Sequence, residues 1–264
     1  MTAPEIERPV LHVLAVGIDN YRDSALALQY AAGDARAFAE TLVRQGQALF
    51  APGEVIVLPD RDATRTGIEK AFERLSARVQ PSDVFVLYLA GHGRSFDGRY
   101  HFLPSEAIYE NEESLRQGGL SEDDLKGLLR KVRAQKSLVV LDTCHAGAAM
   151  SLAALATTRG PEMKDAISRL MKTTGRAVLA ATTDKDVAFE GYEQHGVFTY
   201  ALLAGLRGAA DRPERDGRRD QVISIDELSD YLQQEVPRIT REKFHKEIVP
   251  MRSVEGHSFP IGGY

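Results

Sequence analysis

Cys144 is the one cysteine in a chain of 264 residues. It closes an apolar run, Ser137-Leu-Val-Val-Leu-Asp142, and stands just before His145-Ala-Gly147. Some fifty residues upstream a second run, Val84 to Leu89, ends in Ala90-Gly91-His92-Gly93. A thiol brought beside an imidazole is a nucleophile with its base. The ring takes the thiol proton, and later returns a proton to the leaving group. The plainer alternatives are a buried structural cysteine and a histidine that merely serves a turn. Cys144 follows its strand-like run among small residues that suit a tight, exposing turn, which favours the nucleophile.

Two such residues need elements that deliver them to one place. Both runs are short, rich in β-branched residues and closed by small ones, so each reads as a buried strand opening into a loop. In open α/β sheets ligands collect at the carboxyl ends of the strands. Further strands are predicted at residues 10–16, 54–58 and 176–181, beside those at 84–90 and 137–142. Amphipathic helices are predicted at 34–45, 66–79 and 121–132, and the last opens with a capping-box pattern, Ser121-Glu-Asp-Asp124. Residues 150–174 read as a loop followed by a helix. Residues 198–206 read as a helix ended by Gly208, and Ser224-Ile-Asp-Glu227 caps one running to Val236. The alternation predicts a mostly parallel sheet covered on both faces.

The bulk numbers narrow the class. Hydrophobic content of 43% and charged content of 27% suit a soluble globular chain, and the length suits one α/β domain. A net charge of −5 gives no reason to expect nucleic acid or an anionic membrane. A single cysteine excludes an internal disulfide framework. The polar start, Met1-Thr-Ala-Pro-Glu-Ile-Glu-Arg8, has no apolar signal core, and no run approaches the ~20 apolar residues of a membrane span. The expected location is cytoplasmic.

The motifs resemble those of the caspase-like cysteine peptidases, in which the nucleophile and a His-Gly pair end neighbouring strands. The similarity extends to Leu11-His-Val-Leu-Ala-Val-Gly-Ile18, Tyr21 and Ala31-Ala-Gly-Asp34-Ala35. It continues through Ala180-Ala-Thr-Thr-Asp-Lys-Asp186 and His195-Gly-Val-Phe-Thr-Tyr200, and covers roughly Val10 to Leu206. Asp142-Thr-Cys144-His145-Ala-Gly147 resembles the Asp-x-Cys-His-x-Gly of metacaspases and bacterial orthocaspases. It departs from the Gln-Ala-Cys-x-Gly of animal caspases. The implied fold is a caspase-like α/β sandwich with a mostly parallel central sheet flanked by helices on both faces. One domain is implied over 1–264, with a large-subunit-like part at 10–149, a linker region at 150–175 and a small-subunit-like part at 176–264.

The resemblance implies catalysis by Cys144 and His92, with an oxyanion hole at the backbone N–H groups of Gly93 and Cys144. It also implies a substrate pocket at Asp142 and Asp34, positions at which metacaspases contact a substrate Arg or Lys. Asp184 and Asp186 are expected to line the same region. Asp34 has a rival role as N-cap of the first helix, and Asp142 as an acceptor of local N–H groups. The expected reaction is cleavage after Arg, then Lys, through an acyl-enzyme. Any self-cleavage is expected after a basic residue between Met150 and Thr174, the stretch that holds Arg159 and Lys164. The implied partner is a protein or peptide substrate with a basic residue at the cut, with room for a sensor or regulatory domain or protein. The alternatives are a non-catalytic caspase-like adaptor, or a separase-like relative with another specificity.

No cofactor is required by this chemistry. Some metacaspases bind calcium through an acid cluster that Glu122-Asp-Asp124 resembles in part, but Ser151 stands where a further acid is expected, so helix capping is preferred. Residues 216–227 look superficially like an EF-hand but place Arg218 and Gln221 where an acid and the turning glycine belong. His12, His101, His195, His245 and His257 show no zinc-ligand spacing, so no metal site is expected.

Overall fold

The computed structural model describes residues 8–145, 160–174, 176–181, 191–213, 219–253 and 258–264, with backbone alone at 144–145 and 160–162. The strands are β1 (Val10–Gly17), β2 (Ala51–Pro59), β3 (Val84–Phe96), β4 (Arg99–Phe102) and β5 (Leu120–Ser121). They continue with β6 (Lys136–His145), β7 (Ala177–Ala180), β8 (Val222–Ser224), β9 (Met251–Ser253) and β10 (Pro260–Gly263). The helices are α1 (Ala31–Gly46), α2 (Arg65–Ser76), α3 (Glu112–Gly118), α4 (Glu122–Lys131), α5 (Gly160–Thr174), α6 (Val197–Ala204) and α7 (Ile225–Phe244).

The main sheet has the order β2-β1-β3-β6-β7-β9. It is parallel from β2 to β7 and closed by the antiparallel β9. Its central strands read as unbroken apolar runs because both faces are buried. In β3, Phe85, Leu87 and Leu89 join the core under α2, α4 and α5, while Val84, Val86 and Tyr88 join the core under α1, α6 and α7. The period of two thus divides one strand between two cores. Ser121 caps α4 by a capping box with Asp124, as its sequence predicts. The same device at Ser224 and Glu227 starts α7, which runs on through Pro237 to Phe244, well beyond Val236.

Two expectations are corrected. The strands do not end before the histidine and the cysteine: β3 and β6 stay paired through His92↔Cys144 and Gly93↔His145. β3 then continues into an antiparallel hairpin with β4, pairing Gly93 with Phe102. Glycine weakens a strand locally, but here the ladder on both sides outweighs that preference. Nor does α1 begin at Asp34. It begins three residues earlier, and Asp19 serves its first turn, its carboxylate accepting from Ala31 N (2.7 Å) and Ala32 N (3.2 Å).

Candidate active site

His92 lies within β3, and contacts on both sides of its ring hold it. Gly91, within the strand, adopts a φ of 146° that residues with side chains rarely take, and a Cβ there would come within 2.6 Å of the Tyr21 hydroxyl. The His92 backbone N–H donates to that hydroxyl (2.8 Å), and the two rings lie 5.1 Å apart. On the far side of the ring, Nε2 is 2.9 Å from the Leu26 carbonyl oxygen. A carbonyl can only accept, so Nε2 carries the proton, and Nδ1 is the basic nitrogen of the neutral ring. The side chain is buried, at 1% exposure. Leu26 O is therefore the orienting group that no residue type in the sequence announces.

The register sets His92 directly across from Cys144, and Gly93 across from His145. Paired strands run about 4.8 Å apart, so β3 and β6 bring the two positions to neighbouring points on one edge.

Two residues before the cysteine, Asp142 is registered with Ala90. Its Oδ2 accepts from the Thr199 hydroxyl (2.5 Å), and the Tyr88 hydroxyl lies 3.3 Å away. Tyr88 and Thr199 are themselves 2.6 Å apart. The threonine proton goes to the carboxylate, and the tyrosine proton is shared between the carboxylate and the Thr199 oxygen. Burial first, and then the charge of Asp34, push the Asp142 carboxyl up to about 7, against the two hydroxyls that favour its ionised form. Burial with the Asp142 charge likewise pushes Tyr88 well above its ordinary range.

Asp34 approaches from α1 and is buried at 2% exposure. Its Oδ1 lies 2.5 Å from His195 Nδ1, and its Oδ2 accepts from the Gly196 N–H at 2.9 Å. Burial raises its pKa, and these two partners oppose the rise. A Cβ placed on Gly196 would lie 3.3 Å from Asp34 Oδ2 and 3.6 Å from Asp142 Oδ2, so the carboxylates are at most about 7 Å apart. The structure thus brings Asp34 and Asp142 together, and Asp34 is no N-cap.

Asp184, Asp186 and Arg159 lie outside the described residues. Lys164 lies in α5, whose Ala166, Ile167 and Leu170 are buried in the core, so a cut there requires unwinding that helix. Asp124 serves the α4 cap and an ion pair with Arg65, and Glu122 and Asp123 each pair with Lys126. Among the described residues no group of three or more His, Cys, Asp or Glu is arranged to hold a metal ion. No described helix is long and apolar enough to cross a membrane.

Sequence reasoning gave no role to Leu26, Tyr88, Thr199 or His195. The last two stand in the quoted segment His195-Gly-Val-Phe-Thr199, whose polar residues flank an apolar helix start. That is the one local signal that could have drawn attention to them.

The sequence matches the model of the caspase domain family over residues 11–254. No curated protein matches it in sequence. The crystal structure of protein GSU0716 from Geobacter sulfurreducens superposes with a TM-score of 0.59 over 94% of each chain at 18% identity. At that identity the likeness speaks for the fold.

Proposed function

The chain belongs to the caspase domain family, and from that premise we propose that it is a cysteine endopeptidase cleaving after Arg, and less well after Lys. The observation that carries the reading is the register that sets His92 across from Cys144, two residues beyond the acid pair Asp142 and Asp34. The Cys144 sulfur attacks the scissile carbonyl carbon while His92 Nδ1 takes the thiol proton. The imidazolium so formed donates from Nε2 to the Leu26 carbonyl, which faces its positive charge. Backbone N–H groups of Gly93 and Cys144 receive the oxyanion. By analogy with other acyl-transfer sites, each such donor is worth ~3 kcal/mol in the transition state. Collapse breaks the C–N bond as His92 protonates the leaving amine. Water then attacks the thioester with His92 as base, releasing the acid and regenerating the thiol.

Specificity follows from charge. A guanidinium entering between Asp34 and Asp142 relieves their mutual repulsion, which is one cause of the raised Asp142 pKa. Arg offers a planar fork to two carboxylates and Lys only a point charge. A substrate Asp would add a third like charge in a desolvated site.

Cys144→Ala and His92→Ala test the reading on a peptide library with Arg, Lys, Asp or Leu before the scissile bond. Each substitution is expected to abolish cleavage after Arg and Lys with the fold intact. Wild-type cleavage that persists in Cys144→Ala would overturn the assignment.

A further inference from the structure

We infer that His195 is a specificity-determining positioning residue, which fixes the spacing of the two pocket carboxylates and so sets the preference for Arg over Lys. The inference rests on the pocket reading above and adds the element that holds the pocket's shape.

Both acids are tied to one five-residue stretch, 195–199. Asp34 receives His195 Nδ1 and Gly196 N, and Asp142 receives the Thr199 hydroxyl. Asp34 comes from α1 and Asp142 from β6, elements far apart in sequence. The 195–199 stretch is therefore the template against which both carboxylates are set. His195 is its outer end, with a side chain 25% exposed against 3% for Asp34.

The backbone at that end is held under strain. Tyr192 and His195 exchange N–H···O bonds, each of 3.0 Å, across a tight turn. The turn's middle residues, Glu193 (φ 51°) and Gln194 (φ 65°), both adopt the left-handed conformation without being glycine. Strained turns persist where their surroundings over-determine them. Here the anchors are the His195 and Gly196 bonds to Asp34, together with the Tyr192 ring, packed edge-on to Tyr200 at 4.7 Å. Without the imidazole, Asp34 keeps, among the described residues, only the Gly196 N–H and can rotate. A guanidinium fork needs both carboxylates in register and suffers from that rotation, whereas an ammonium does not.

The test is steady-state kinetics of wild type, His195→Ala and His195→Asn on matched peptides with Arg or Lys before the scissile bond. His195→Ala should raise KM for the Arg peptide about tenfold, the scale of one hydrogen bond to a charged group. Its kcat should stay within about twofold, because uniform binding is what is lost. The Lys peptide should change little, so the Arg-over-Lys ratio should collapse toward unity. His195→Asn carries an amide N–H where Nδ1 stood and should recover most of the ratio. An unchanged ratio in His195→Ala, an equal loss on both peptides, or no recovery in His195→Asn would overturn the inference. Should His195→Ala fail to fold, His195→Leu, which fills the space without an N–H, takes its place: a collapsed ratio supports the inference and a wild-type ratio refutes it. A wild-type enzyme that cuts after neither Arg nor Lys would instead overturn the pocket reading itself, and this inference with it.

Discussion

Asp142→Asn should remove a pH-dependent cost from the folded protein. The carboxyl is pushed up to about 7 from an ordinary 3.8, by burial first and by Asp34 second. A folded state that holds its proton more tightly than the unfolded chain loses stability as pH rises between the two values. The penalty is absent below about pH 4, grows through pH 4 to 7 and is complete above. At 1.36 kcal/mol per unit, its ceiling is about 4 kcal/mol. Between pH 5 and pH 8 the same linkage gives about 2 to 3 kcal/mol. The asparagine has no proton to lose, so the stability of Asp142→Asn relative to wild type should improve by that amount over this interval. Urea unfolding of both proteins at pH 5 and pH 8 measures it. A difference between the two proteins that stays constant across the interval would refute the burial and repulsion argued for this carboxyl.

Asp34→Asn removes the second cause of that shift, so the pH-dependent gap between Asp142→Asn and its Asp142 parent should shrink in an Asp34→Asn background, read by the same titration. Tyr21→Phe removes the hydroxyl that accepts from the buried His92 N–H; it should lower stability by about 1–3 kcal/mol and reduce kcat, by thermal melting and peptide turnover. Gly91→Ala forces a Cβ to within 2.6 Å of the Tyr21 hydroxyl at φ 146°. It should cost well over 1 kcal/mol and displace His92, so a variant with wild-type Tm and turnover would contradict the described backbone at Gly91.

What the sequence announced and what it hid divide along physical lines. Residue types and local periodicity are sequence properties, so the buried strands, the Ser121 and Ser224 caps and the candidate pair His92 and Cys144 were legible. The Gly-rich stretch at 91–93 reads as loop because glycine disfavours strands, and only pairing with β6 and β4 keeps it extended. Asp34 reads as a helix cap until Asp19, fifteen residues before it, is seen to serve that helix. Leu26 O was beyond reach, since every residue carries a carbonyl and only the fold chooses which one faces Nε2. Thr199 and His195 pair with acids 57 and 161 residues away, and no local pattern records a bond of that span.

The most direct measurement of the central claim is turnover of three peptides differing only in Arg, Lys or Asp before the scissile bond, repeated after stoichiometric alkylation located by mass spectrometry. The account predicts kcat/KM in the order Arg, Lys, then Asp at or near background, with one adduct, on Cys144, removing all activity. Faster turnover of the Asp peptide would contradict the acidic pocket, and full activity in enzyme alkylated at Cys144 would contradict the nucleophile.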